Sequence, residues 1–229
     1  ALPIYTVSWF RTIHDLPAAY DPNIIIFAVK PQELGAILPL YKERFAGKQP
    51  LYISIAAGKT LKFYMANLGE HARIIRAMPN TPAQVGEGLT VLCASTTVPA
   101  TMRDAASHIM QAAGHVVWID DESQMDGVTA LSGSGPAYVF LFLECLMKAG
   151  VAVGLSPETA RQLAIATLSG SAALANQSHE NFEALRRQVT SPGGTTEAAL
   201  TVLMSDDLLE NLIKDAVLRA HQRSKEISE

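Results

Sequence analysis

One stretch limits what this chain can become: residues 126–150, DGVTALSGSGPAYVFLFLECLMKAG. It opens with small residues, Ser132-Gly133-Ser134-Gly135, that read as a loop. Pro136 then falls near a first helical position, where its missing N–H costs nothing, and Ser134 is placed to cap. From residue 137 to 149 nearly every position is apolar: Val139, Phe140, Leu141, Phe142, Leu143, Cys145, Leu146 and Met147. Glu144 and Lys148 interrupt the run at i,i+4 spacing. A soluble helix that is apolar all round has no face for water, and this one is too short for a bilayer span. The expectation is a core helix buried on every side, partly by a second copy of the chain. Strands and helices alternate before this stretch, and helices alone follow it.

The alternating half begins with a short strand at residues 3–8, and then residues 23–29 form a continuous β-branched run (NIIIFAV) of the kind a parallel strand covered on both faces carries. Helical spacing follows over residues 32–45. Residues 51–55 make the next strand, Thr60 caps a helix to Leu68, and residues 73–77 make another strand running into Met78-Pro79-Asn80-Thr81-Pro82, a segment read as non-helical. A strand at 88–94, a helix at 99–113 and a strand at 115–119 complete the series. This alternation predicts right-handed crossovers and an open parallel sheet, with ligands outside the carboxyl ends of the strands. Those ends are Ala28-Val29-Lys30-Pro31, Ala56-Ala57-Gly58 and Met78–Pro82. Each alone is an ordinary turn; three together point to a nucleotide crevice.

The Gly-x-Gly-x-x-Gly turn that holds a pyrophosphate is found nowhere before Ala28. Residues 1–20 are too short for strand, helix and return, so a first βα unit is expected to be missing, with Ser8-Trp9 as a seam.

In the second half, Ser156-Pro157-Glu158 starts a helix to about residue 176, and residues 181–189 form a short one. Ser205-Asp206-Asp207 caps a last helix to about residue 227. Between them lies Thr190-Ser191-Pro192-Gly193-Gly194-Thr195-Thr196, with helix from Glu197 onward. Two glycines and two threonines at a helix start would aim free N–H groups at one point, an anion site needing no basic side chain. The plainer alternative is a capped turn between helices.

With 229 residues, 48% apolar and 17% charged, the chain can bury one large core or two modest ones. A net charge of −4 offers no reason to bind nucleic acid or an anionic membrane. Cys93 and Cys145 lie in apolar runs and read as buried thiols in a reducing, cytoplasmic setting. The six histidines show no metal spacing, and no metal is expected.

Four motifs, in this order, resemble pyrroline-5-carboxylate reductases: Ala28-Val29-Lys30-Pro31-Gln32, Met78–Pro82, residues 131–138 (LSGSGPAY) and residues 189–196 (VTSPGGTT). The likeness runs from Pro22 onward. It implies a Rossmann-like α/β parallel-sheet domain over residues 1–125 and an all-α dimerisation and substrate domain over 126–229. It implies reduction of the cyclic imine 1-pyrroline-5-carboxylate to L-proline with NADP(H) or NAD(H). Ala28, Val29, Lys30, Pro31, Ile55, Ala56, Ala57 and Asn80 would then line the cofactor, and Gly193, Gly194, Thr195 and Thr196 the substrate. A homodimer assembling to a decamer is implied as well. Asp15 stands where many relatives carry Asn beside the adenosine, and an acidic family position falls near His179 or Glu180. An imine wants a hydrogen-bond partner at its ring nitrogen, and the Thr196 hydroxyl is the best candidate. Two rivals are a related hydroxyacid dehydrogenase, which wants a lysine early in the apolar helix where residues 135–143 have none, and a non-catalytic binding or assembly module.

Overall fold

A computed structural model describes residues 7–228. They form two compact units: residues up to 133 together with 221–228, and residues 134–220.

The first unit is built on five strands, β1 (Ile24–Phe27), β2 (Leu51–Ser54), β3 (Arg73–Met78), β4 (Gly88–Ala94) and β5 (Gly114–Trp118), ordered in the sheet as in the chain. β2 alternates its side chains between two cores. Leu51 and Ile53 join Ile75, Ala77, Leu92 and Met110 on the face covered by α3 (Ala100–Gln111). Tyr52 joins Phe27, Ile74, Leu34, Leu38, Tyr64 and Leu68 on the face covered by α1 (Leu34–Arg44) and α2 (Leu61–Leu68). Each Leu or Ile so buried contributes roughly 1.5–3 kcal/mol relative to exposure. The Thr60 cap is present: its Oγ1 accepts from the Phe63 N–H at 3.2 Å.

The sheet differs from expectation in one pairing. β1, β2 and β3 are parallel, and so are β4 and β5, but β3 and β4 run antiparallel. The connection spans only residues 79–87, too short for the crossover a parallel neighbour requires. Within it Thr81–Val85 is a 3-10 turn, so the stretch read as non-helical is partly helical; Pro82 occupies its start, where no N–H is needed. Gly88 and Gly114 face each other in register, and a Cβ on Gly114 would run into the Gly88 backbone. The strand expected at 3–8 lies mostly outside the described residues; Val7 and Ser8 are in no strand.

The small-residue loop is also corrected. A continuous helical run extends from Glu122 to Ala152, through α4 (Met125–Val128), a π turn (Thr129–Gly133) and α5 (Gly135–Ala152). Ser134 has helical φ and ψ and makes no cap hydrogen bond. Close approach is found at Gly133, where a Cβ would meet Met78 Cε at 2.5 Å, whereas a Cβ on Gly135 would meet open space.

The second unit pairs α5 with α6 (Pro157–Gln177), followed by α7 (Phe182–Gln188) and α8 (Thr195–Leu203); α9 (Leu208–Ser228) begins here and ends in the first unit. The Ser156 and Asn181 hydroxyl and amide oxygens cap α6 and α7, accepting from Thr159 N–H at 3.1 Å and Ala184 N–H at 2.8 Å. Before α9, Asp206 and Asp207 adopt left-handed φ of 51° and 54°, and Ser205 Oγ turns to the Asp206 carboxylate. Inside this one chain α5 has no buried residue: Phe140 is 64% and Leu141 60% exposed, and Cys145 is exposed as well. Burial on every side is therefore not achieved by the chain itself. At 31 residues the run is long and apolar enough to cross a membrane, so shortness does not exclude that fate.

Candidate active site

The carboxyl ends of β1, β2 and β3 lie side by side, since Phe27 pairs with Ser54 and Ser54 with Arg76. That register brings Ala28-Val29-Lys30-Pro31 next to Ile55-Ala56-Ala57, with Asn80 beyond the end of β3. Ala28, Lys30 and Ile55 are exposed, and Val29, Pro31, Ala56 and Ala57 half-buried. Small side chains on an open strand end leave room for a flat ring against the backbone, which fits a nicotinamide cofactor.

Asn80 behaves differently from its neighbours. Its Oδ1 accepts from the Leu89 N–H at 2.8 Å, and its Nδ2 donates to Ser132 Oγ at 3.3 Å. The amide thus ties the end of β3 to β4 and to the π turn. A π turn at such a junction is a frequent mark of a functional site.

Beneath the second loop lies a polar cluster that the sequence did not announce. Ser54 Oγ and Tyr64 Oη are 2.6 Å apart, both buried, and the Ala56 N–H donates to Ser54 Oγ at 3.3 Å. Glu122 Oε1 accepts from Arg76 Nη1 and from the Leu61 N–H, each at 2.6 Å. Burial pushes the Tyr64 phenol above its ordinary pKa, the Ser54 hydrogen bond working against it. Burial likewise raises the pKa of the Cys93 thiol, a buried side chain of β4. On the loop's outer side Gly58, at φ 75°, leaves the space that Ile227 fills: a Cβ there would meet Ile227 Cγ2 at 2.9 Å. Glu122 was missed because its partner Leu61 is 61 residues away, and Tyr64 because its hydroxyl meets Ser54 only once α2 has folded back on β2.

In the second unit, Gly194 caps α8, and Thr195 and Thr196 are its first residues, so the helix begins two positions before Glu197. First-turn N–H groups have no carbonyl partner within the helix. The Gly193 N–H, expected to be free for a ligand, is held by Glu197 Oε2 at 2.7 Å, and the Gly194 N–H by the Ser191 carbonyl at 3.0 Å. An anion site here thus narrows to the N–H groups of Thr195 and Thr196, with Glu197 standing beside them as a capping carboxylate. Thr196 is half-buried. Asp15 Oδ2 accepts from the Thr12 N–H at 2.9 Å and caps a local turn.

A family model described as pyrroline-5-carboxylate reductase dimerisation matches residues 122–227. The pyrroline-5-carboxylate reductase of Pseudomonas aeruginosa is 41% identical over 212 residues, covering 93% of this chain and 77% of that protein. A pyrroline-5-carboxylate reductase structure from Coxiella burnetii superposes with a TM-score of 0.86 at 41% identity, over 90% of this chain and 76% of that one. The Plasmodium falciparum pyrroline carboxylate reductase, solved with NADP bound, gives a TM-score of 0.81 at 35% identity, over 90% and 78%.

Proposed function

The chain belongs to the pyrroline-5-carboxylate reductase family, and on that premise we propose how its residues divide the work. The reaction is the reduction of 1-pyrroline-5-carboxylate to L-proline with NAD(P)H, the last step of proline biosynthesis. The chain acts as a homo-oligomer on a small molecule.

When bound, NAD(P)H supplies the hydride. We assign its nicotinamide side to Ala28, Val29, Lys30, Pro31, Ile55, Ala56 and Ala57; the exposure of Ala28, Lys30 and Ile55 and the small side chains of Ala28, Ala56 and Ala57 at neighbouring strand ends support the role. Asn80 holds the shape of that crevice through Leu89 and Ser132. The substrate carboxylate is assigned to the first turn of α8, where Thr195 and Thr196 offer N–H groups and the helix dipole favours negative charge. Gly193 and Gly194 let the chain turn into that helix; Gly193 does so at φ 71°. The Thr196 hydroxyl hydrogen-bonds the ring nitrogen, which must carry a proton for the ring carbon to accept hydride. The protein's share is position and electrostatics.

The division of labour falls near residue 125, with cofactor binding before it and dimerisation and substrate binding after it; the dimerisation match beginning at 122 supports this. A second copy covers α5, and the dimers assemble to a decamer in the cytoplasm. The observation that carries the functional reading is the conjunction of three open strand ends with 41% identity to a reductase. Absorbance at 340 nm tests it: NADPH should be consumed with the cyclic imine, and a small hydroxyacid with NADP should give no turnover. Turnover of the hydroxyacid alone would replace the assignment.

A further inference from the structure

The loop after β2 carries Ile55, Ala56 and Ala57, and it is tethered at both ends. At its start, Ser54 is 1% exposed and Tyr64, from α2, is 0% exposed. Their hydroxyls meet at 2.6 Å, and Ser54 Oγ also accepts the Ala56 N–H at 3.3 Å. At its far end, Thr60 caps α2 and the Leu61 N–H is held by Glu122 Oε1, itself paired with Arg76. Arg76 stands opposite Ser54 in the β2–β3 register, so both anchors share one rung of the sheet.

Packing alone does not call for the hydroxyl pair. A buried pair whose two members are both replaced by apolar groups of the same shape is close to neutral for stability. The Tyr64 ring already packs against Phe63, centroids 5.5 Å apart, within an apolar cluster. The hydroxyls contribute direction: they orient one backbone amide, that of Ala56, in the middle of the loop.

We propose that Tyr64 and Ser54 form a positioning relay that sets the Ala56 peptide, and with it the cofactor-facing shape of residues 55–57. The proposal rests on the reading that this loop lines the nicotinamide side. Neither side chain touches the cofactor under it; both act through the loop.

Three single variants and one double variant of the protein separate the possibilities, each read by NADPH fluorescence titration, by KM for NADPH and for the imine, and by melting temperature. Ala57→Leu adds bulk to the loop itself and should weaken NADPH by roughly tenfold or more. Ser54→Ala should weaken it by about three- to tenfold, the size of one lost hydrogen bond. Tyr64→Phe should do somewhat less, and the double variant no more than Ser54→Ala, because the two hydroxyls act in series. KM for the imine should stay within about twofold. If Ala57→Leu weakens NADPH while Ser54→Ala and Tyr64→Phe lower only the melting temperature, the pair is core packing and the relay is refuted, with the cofactor reading intact. If Ala57→Leu leaves NADPH affinity unchanged, the loop is no cofactor wall and the relay falls with that reading.

Discussion

The sheet unit and the helical unit are equally rich in leucine, isoleucine and valine but dispose of them differently. In the sheet unit Leu34, Leu38, Leu51, Ile53, Ile74, Ile75 and Leu92 are fully buried by the chain's own two layers. In the helical unit the buried apolar residues are the small Ala160 and Ala164, while Phe140, Leu141, Phe142 and Leu163 stay about half exposed or more. Scattered exposed apolar residues are normal on any protein; a contiguous helix face of them is not. In the sheet unit the chain's own two layers close a core. The helical unit leaves an apolar face open, and the dimerisation family it matches is in keeping with the proposal that a second copy covers it.

Charges placed on α5 should break this contrast most severely. The pair Phe140→Asp and Leu141→Asp puts two carboxylates on the exposed face, and anchor residues of this type cost about 2–4 kcal/mol each at an interface. Subunit association should weaken by roughly a thousandfold or more, seen as dissociation in sedimentation velocity. Val85→Asp, on an isolated side chain 77% exposed in the sheet unit, should leave association unchanged. An equal response from both sites would erase the distinction.

Ile75→Ala probes the other side of the comparison. It empties space between β3 and α3, and such truncations cost about 2–5 kcal/mol. Its denaturation midpoint should fall by the same amount at every protein concentration, whereas the α5 variants should show concentration dependence.

Thr196→Val keeps shape and removes one hydroxyl. Loss of that hydrogen bond should lower kcat/KM by roughly ten- to a hundredfold while NADPH affinity holds. A kinetically silent variant would reduce Thr196 to a helix cap.

The smallest effect belongs to Glu144 and Lys148, 2.5 Å apart on α5 and exposed. The Lys148 hydrogen bond and charge hold the Glu144 carboxyl below its ordinary pKa. The pair's stabilisation is therefore present above the unfolded glutamate value and lost as pH falls through the lower folded one. Glu144→Gln should shift melting by about a degree or less at neutral pH, and by nothing in acid.

Much of this was legible in the chain. Thr60 and Ser156 marked their helices as caps do, and the run at Leu51–Ser54 is a buried parallel strand; the run at Ile24–Phe27 is also a parallel strand, but it ends the sheet among the described residues with Ile26 45% exposed, so the expected cover on both faces is not found. The reversal at β4 was legible too, had the nine residues from 79 to 87 been weighed against the length of a crossover. Other features were hidden by the physics of contact. Serine and glycine at 132–135 favour a loop locally, yet Ser132 and Gly133 end a π turn and Gly135 starts α5, with Met78 packed against Gly133. Glu197 looked like an ordinary helix residue until its carboxylate was found on the Gly193 N–H. Tyr64 and Ser54 carry no motif; a hydroxyl pair becomes visible only when a helix returns across its strand.

The most direct test of the account is the mass of the active protein by light scattering at micromolar concentration. The account predicts a stable species of at least twice the 24.6 kDa chain mass, dissociating only in variants of α5. A stable monomer that still reduces the imine would contradict it, because the open face of α5 would then need no partner.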